Sequence, residues 1–333
     1  MTKIRSIIVV LFAAIAITAC QKESSDEFVM YPNNAMNDTV WASNGTFFSS
    51  LNKIITQDLM MPSIVDSFDY SVDNTLIFGD SLQTYFSASS CVNANGSNIT
   101  KNGKIKIEIN LLKKKSDFMK FALPTTSGVA LLEASNYIDI KLSQDGQEVF
   151  LNPNSQVKIR IKDTAINNDM KFFTGSSIKY NADSVFSWSF APNIGKVGFW
   201  KDNAGSSSSK ILGYEFTTNK LRWIGAAYFT DSLQPKTRVN VTLPLNYTNK
   251  NTAVFAVFKS KKTVIGLLND AATKTFFALN IPVNTELALV SLTKINNDYY
   301  LGSKVTKITN PDLIMIMPEK KTLAQIIEFI DKL

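Results

Sequence analysis

The chain has 333 residues, 45% of them hydrophobic, a net charge of +7, two cysteines and no histidine. That length holds two domains with real cores, and the apolar content excludes a disordered chain. The missing histidine removes Ser-His-Asp and Cys-His catalysis, His-ligated zinc and two-His iron sites together. No phosphate-binding loop or nucleotide glycine fingerprint is present, so no cofactor or metal is expected, and the dispersed lysines argue against a nucleic-acid partner.

The chain opens with Lys3 and Arg5, an apolar run from Ile7 to Ile17, and Ile17-Thr18-Ala19-Cys20. This run is too short to span a bilayer. The pattern resembles a bacterial lipoprotein signal, which implies that residues 1–19 are a signal peptide and that Cys20 is the lipidation site, with membrane contact through its acyl chains. Residues 20–30 read as a flexible tether, because Gln21 to Glu27 are all polar. Lys22 followed by Glu23, Asp26 and Glu27 resembles the export tag of Bacteroidota-type surface lipoproteins, which implies an outer-membrane, cell-surface location. With Cys20 lipidated, only Cys91 remains. No intramolecular disulfide can form, and Cys91 is expected as a small buried residue.

Residues 31–62 form a short helical segment: Phe47, Phe48, Leu51, Ile54, Ile55 and Leu59 recur at helical spacing before Met60-Met61-Pro62. The period then becomes two. Ile105, Ile107, Ile109 and Leu111 alternate with polar residues, as do Ile138, Ile140 and Leu142, and Val157, Ile159 and Ile161. Lys113-Lys114-Lys115 reads as a solvated turn, and Asn95-Gly96, Asn102-Gly103 and Asp145-Gly146 are turn signals. Close-set strands without interleaved helices predict an antiparallel β-sandwich module over 63–175. Gly103-Lys104-Ile105-Lys106-Ile107-Glu108-Ile109, Ser116-Asp117-Phe118-Met119, Pro124-Thr125-Thr126-Ser127-Gly128, Leu131-Leu132-Glu133-Ala134 and Asp145-Gly146-Gln147 carry a resemblance to the zonula-occludens-type β-sandwich module of ankyrins and netrin receptors, in its Bacteroidota-type lipoprotein version. The resemblance implies an interaction or structural fold and no catalytic residues. The glycine-rich turn usual after the leucine pair in that module is altered here, to Ala134-Ser135-Asn136.

Residues 176–234 form an aromatic-rich middle β segment interrupted by a Gly/Ser-rich loop at 203–209. The alternation returns in 235–333, a C-terminal β domain with Val239, Val241 and Leu243, Val254 to Phe258, Leu287 to Val290 and Leu313 to Met317. From Thr322, Leu323, Ile326, Ile327, Ile330 and Leu333 share one helical face, with Thr322 and Gln325 as a capping box. The expected fold class is therefore mostly β: two antiparallel sandwich-like domains with a short N-terminal helix and a C-terminal amphipathic helix.

Three functional readings follow. The leading one is a lipid-anchored, non-enzymatic envelope protein with a binding or structural role, its partner another envelope protein. The second is a glycan-binding accessory lipoprotein of an outer-membrane uptake system, with Trp188, Trp200, Trp223 and Tyr228 as stacking rings. The third is a glycoside hydrolase, which needs only two carboxylates across a sugar; Glu108, Glu133, Asp139 and Glu148 are candidates, and solvent-face positions are their ordinary fate on strands. Independently, five Asp-Ser/Thr-aliphatic triplets resemble the O-glycosylation sequon of Bacteroidota-type exported proteins, marking Thr39, Ser81, Thr164, Ser184 and Ser232.

Overall fold

The computed structural model describes residues 38–42, 57–99, 103–180, 183–202, 210–230, 234–309 and 313–333. The expected helix around 44–59 falls largely outside them, although residues 57–59 are helical and Leu59 is buried in a core. Thr39–Leu333 form one compact unit.

Period-two alternation becomes strand wherever one face meets a core. Nine strands form the first sheet. Its main path runs β1 (Ile64–Asp69), β5 (Lys104–Leu112), β7 (Ala130–Gln144), β14 (Ile224–Phe229), β10 (Lys171–Tyr180) and β11 (Asp183–Phe190), while β4 (Cys91–Asn93) pairs with β8 (Gln147–Leu151), and β6 (Thr126–Ser127) and β8 pair with β7. Facing it is a sheet ordered β12 (Gly195–Lys201), β13 (Ile211–Thr218), β9 (Val157–Lys162), β3 (Leu82–Phe86) and β2 (Asn74–Phe78). The inward faces, Ile105, Ile107, Ile109, Ile138, Ile140, Ile159, Ile161, Tyr214 and Phe216, fill the core between them. Strands of the middle segment hydrogen-bond directly to the earlier ones, β13 to β9 and β14 to β7. The Asp145-Gly146 turn joins β7 to β8 with both residues at positive φ, 50° and 80°, as a tight hairpin requires.

Ala134-Ser135-Asn136, which stand where the resembled module has its glycine-rich turn, lie in the 15-residue β7. Ser135 is a bulge there: Ala226 pairs with Asn136 and Ala227 with Ala134. The extra residue lets one strand serve two cores. Beyond the bulge Ile138, Ile140 and Leu142 face the sandwich interior, whereas Leu132, Ala134 and Tyr137 belong to a second core.

That second core joins the two halves of the chain. A five-stranded sheet ordered β17 (Val264–Gly266), β16 (Thr252–Phe258), β20 (Glu286–Ile295), β21 (Asp298–Lys307) and β23 (Glu319–Lys321) turns Ala253, Phe255, Val257, Val290 and Leu292 onto it. All seven residues of β16 are buried, so by alternation Val254, Ala256 and Phe258 point the other way. They face a four-stranded sheet ordered β18 (Leu268–Asp270), β19 (Thr275–Pro282), β15 (Lys236–Thr242) and β22 (Leu313–Met315), in which β15 and β22 are parallel.

Two short helices close the second core. In α1 (Lys115–Lys120) the Asp117 carboxylate accepts the Lys113 and Lys114 backbone N–H groups at 2.8 Å each. The expected solvated turn of lysines is a set of staples: Lys113 Nζ donates to the Lys162 carbonyl at 2.6 Å and Lys115 Nζ to that of Phe258 at 2.6 Å. Carbonyls at strand ends capture ammonium groups that sequence alone assigns to water. In α2 (Leu323–Asp331) the capping box forms as expected, Gln325 N–H to Thr322 Oγ1 at 3.2 Å and Thr322 N–H to Gln325 Oε1 at 2.9 Å. Its Ile326 and Ile330 are buried in the second core, and its Asp331 accepts from the buried Lys120 at 2.6 Å.

Candidate binding face

The four aromatic rings expected to stack on sugars do not share a face. Trp188 is 0% exposed, stacked on Tyr137 at 3.6 Å between centroids, with its indole N–H donating to the Pro124 carbonyl at 2.9 Å. It is a core residue, which corrects its assignment as a ligand-stacking ring. Trp223 packs edge-on against it, centroids 6.5 Å apart, in a left-handed backbone conformation at φ 43°. Gly225 makes the stack fit, since a Cβ there would lie 2.0 Å from the Tyr137 ring. Trp200 belongs to the other sheet, paired with Gly213, and is buried. Tyr228 donates to Glu133 at 2.6 Å; burial, then the hydrogen bond to this carboxylate, pushes its phenol up to about 12.

The candidate carboxylates are similarly engaged. Arg222 Nε donates to Asp139 at 2.7 Å and its Nη1 to Glu148 at 3.0 Å, so the two acids share one guanidinium, and Glu108 pairs with Lys106. Burial pushes the Cys91 thiol up to about 11, the inert state expected of a thiol in apolar surroundings. Among the sequon residues, Thr164 is exposed and Thr39 and Ser81 are half-buried. Ser184 lies in β11, where its backbone pairs with Lys179. Ser232 and Cys20 lie outside the described residues.

The face that remains available is the outer side of the β12-β13-β9-β3-β2 sheet. Register places Thr75, Tyr85, Lys158 and Thr217 in one cross-strand row and Ile77, Gln83, Arg160 and Glu215 in the next. Each strand sends alternate residues outward while Leu82, Phe86, Ile159 and Ile161 fill the core behind them. Between the rows lies a groove of about 160 Å³ lined by Thr75, Gln83, Thr84, Tyr85, Lys158 and Arg160. Arg160 Nε donates to Glu215 at 2.6 Å, with Lys158 Nζ 3.9 Å from the same carboxylate. Tyr85 donates its hydroxyl to Asp73 at 2.9 Å, which raises its pKa, and the Ala88 N–H and this hydroxyl together lower that of Asp73. The ring is thus fixed at the groove wall with its phenol proton retained. An enclosed small-molecule site holds roughly 300–1,000 Å³, so this groove fits one unit of a larger ligand.

Of these residues the sequence displays only Lys158 and Arg160, in the polar half of an alternating strand. Their meeting with Tyr85 and Gln83 depends on pairing between strands some 75 positions apart (Tyr85 with Lys158), which no local pattern encodes. Among the described residues no group of three or more Cys, Asp or Glu is placed to hold a metal ion. No protein-family model and no curated protein matches the chain.

Proposed function

We propose that the protein is a lipid-anchored envelope protein, held through Cys20, that displays a binding surface and catalyses no reaction. The observation that carries this reading is the outward groove face of the β12-β13-β9-β3-β2 sheet, where Tyr85, Gln83, Lys158 and Arg160 are presented together. The side chains best suited to other chemistry have internal partners: Asp139 and Glu148 hold Arg222, Glu133 holds Tyr228, and Trp188 stacks on Tyr137. Metabolic labelling with an alkyne fatty acid tests the anchor. The full chain is expected to take up label and Cys20→Ser to take up none; equal labelling of both overturns it. Protease treatment of intact cells tests surface placement, which predicts loss of the full-length band.

The second reading, a glycan-binding accessory lipoprotein, draws support from the same groove. A fixed tyrosine ring beside hydrogen-bonding Gln83 and cationic Lys158 and Arg160 supplies stacking, hydroxyl contacts and attraction for an acidic sugar. Its rings are not the ones expected from sequence. On a glycan array, Tyr85→Ala and Arg160→Ala are expected to lose signals that Trp223→Phe retains; an unchanged array removes this reading. Modification at the Asp-Ser/Thr-aliphatic triplets belongs to the same envelope setting, and an intact mass equal to that of the acylated polypeptide alone overturns it.

A further inference from the structure

The four-stranded sheet turns an apolar face outward. Ile314 and Ile316 are buried, whereas Leu313, Met315 and Met317, on the opposite side, are 64%, 57% and 64% exposed. Register extends this stripe across the sheet, Leu313 beside Asn240, Asn240 beside Phe277 and Phe277 beside Leu268, with exposed Leu279 two residues beyond Phe277. Basic groups border it: Lys236 and Lys274 are exposed, and the Arg238 guanidinium lies 4.0 Å over the Phe277 ring. An apolar surface of this kind, broken at Asn240, which accepts from Arg238 Nε at 2.7 Å, and rimmed with charge, marks an interaction site.

The route of the chain says which. Trp41 packs against Phe276 of β19, centroids 5.0 Å apart, and Ala42 is bonded through both its N–H (2.8 Å) and its carbonyl (3.1 Å) to Asn249, whose amide also reaches Asn269 of β18. The segment arriving from Cys20 is therefore fastened at the β18 edge of this same sheet. Only residues 21–40 separate the cysteine from that fastening, a reach of at most about 70 Å.

We infer that the outer face of the four-stranded sheet rests on the bilayer that holds the acyl chains of Cys20, with Leu313, Met315, Met317 and Leu279 entering the headgroup–acyl boundary and Lys236 and Arg238 at lipid phosphates. This rests on the lipid-anchor reading above. The short tether keeps the face at high effective concentration beside the membrane, so a modest apolar stripe suffices where it would not capture a free protein. The groove face, on a different sheet, then needs no membrane contact to meet its ligand.

The test uses the acylated full chain in vesicles of phosphatidylethanolamine and phosphatidylglycerol, with an environment-sensitive fluorophore at Met315→Cys or, for comparison, at Ile77→Cys on the outer face of the β12-β13-β9-β3-β2 sheet. Both sites are exposed, so neither label disturbs a core. Nitroxide-bearing lipids are expected to quench the label at 315 roughly threefold more than the label at 77. Flotation with the vesicles but equal quenching at the two sites overturns the proposal and leaves the anchor standing. Failure to float overturns both. A label at 315 already shielded before vesicles are added, with a doubled mass in solution, assigns the face to a second copy of the chain and overturns the membrane assignment.

Discussion

The two outermost sheet faces are built from the same geometry and say opposite things. On the β12-β13-β9-β3-β2 sheet, outward positions carry Gln83, Tyr85, Lys158, Arg160 and Glu215, joined by ion pairs across strands; on the β18-β19-β15-β22 sheet they carry Leu268, Phe277, Leu313 and Met315. Inward, both are apolar. The cores lie on the other sides, so the contrast is what the two proposals build on: a polar ligand for one face, an apolar surface for the other. Between them the second core and its α1–α2 cover commit their side chains to one another.

If that division holds, the largest stability effects belong to the interior. Trp188→Ala removes a fully buried indole, its stack on Tyr137 and its bond to Pro124. A loss of about 4 kcal/mol is expected, read as a lower urea midpoint. A loss under about 1 kcal/mol would mean that the interior and the faces are not separable in this way.

Asp331→Ala comes next. It leaves the Lys120 ammonium, 6% exposed, without the carboxylate now 2.6 Å away, at a cost of about 2 kcal/mol once the half exposure of Asp331 is allowed for. Hydrogen exchange should accelerate in α2 and leave the β5–β7 pairing unchanged. Burial works against ionisation of Asp331, but the bond and charge of Lys120 together with Ser116 and the charge of Lys114 outweigh it, so the carboxyl sits below its ordinary value. A depressed acid stabilises above its unfolded pKa, and that increment is lost as pH falls through the folded one; the wild type should lose α2 protection in acid, and Asp331→Ala should show no such acid step.

Cys91 gives the alkaline counterpart. Its pKa is raised by burial from 9.0 to about 11. The folded state therefore holds the proton longer than the unfolded one; stability is intact below pH 9 and falls as pH climbs toward 11, by on the order of 2 kcal/mol. Chemical unfolding of wild type and Cys91→Ala across this range should converge as the wild type declines.

Much of this architecture is legible in the chain because a half-buried strand writes its burial into alternate residues. Ile105-Ile107-Ile109, Val157-Ile159-Ile161 and Val239-Val241 are strands with those residues inward, and the Thr322–Gln325 box caps α2. The second half of β7 shows in Ile138, Ile140 and Leu142, but its continuity back to Ala130 was hidden, because the bulge at Ser135 shifts the alternation from one face to the other. The aromatic segment misled because a tryptophan is equally at home stacked on a sugar or on Tyr137, and only the Gly225 gap opposite that tyrosine distinguishes the two. The groove was invisible because its parts come from β2, β3 and β9, and register is a property of pairs.

The smallest expected effect is the most discriminating. Arg160→Ala and Met315→Ser each change an outer face, the first breaking a partly exposed ion pair with Glu215, the second exchanging an exposed thioether for a hydroxyl. Neither touches a core, so each should shift stability by no more than about 0.5 kcal/mol while altering different contacts: Arg160→Ala the groove ligand, Met315→Ser the quenching by membrane nitroxides. Thermal unfolding of the two variants beside these two binding measurements separates the faces. If Arg160→Ala costs several times that amount, the Arg160–Glu215–Lys158 row is a structural clasp, and the groove owes its charge to folding. If Met315→Ser stabilises the free chain and leaves membrane contact intact, the apolar stripe is an unprotected sheet edge instead of a landing surface.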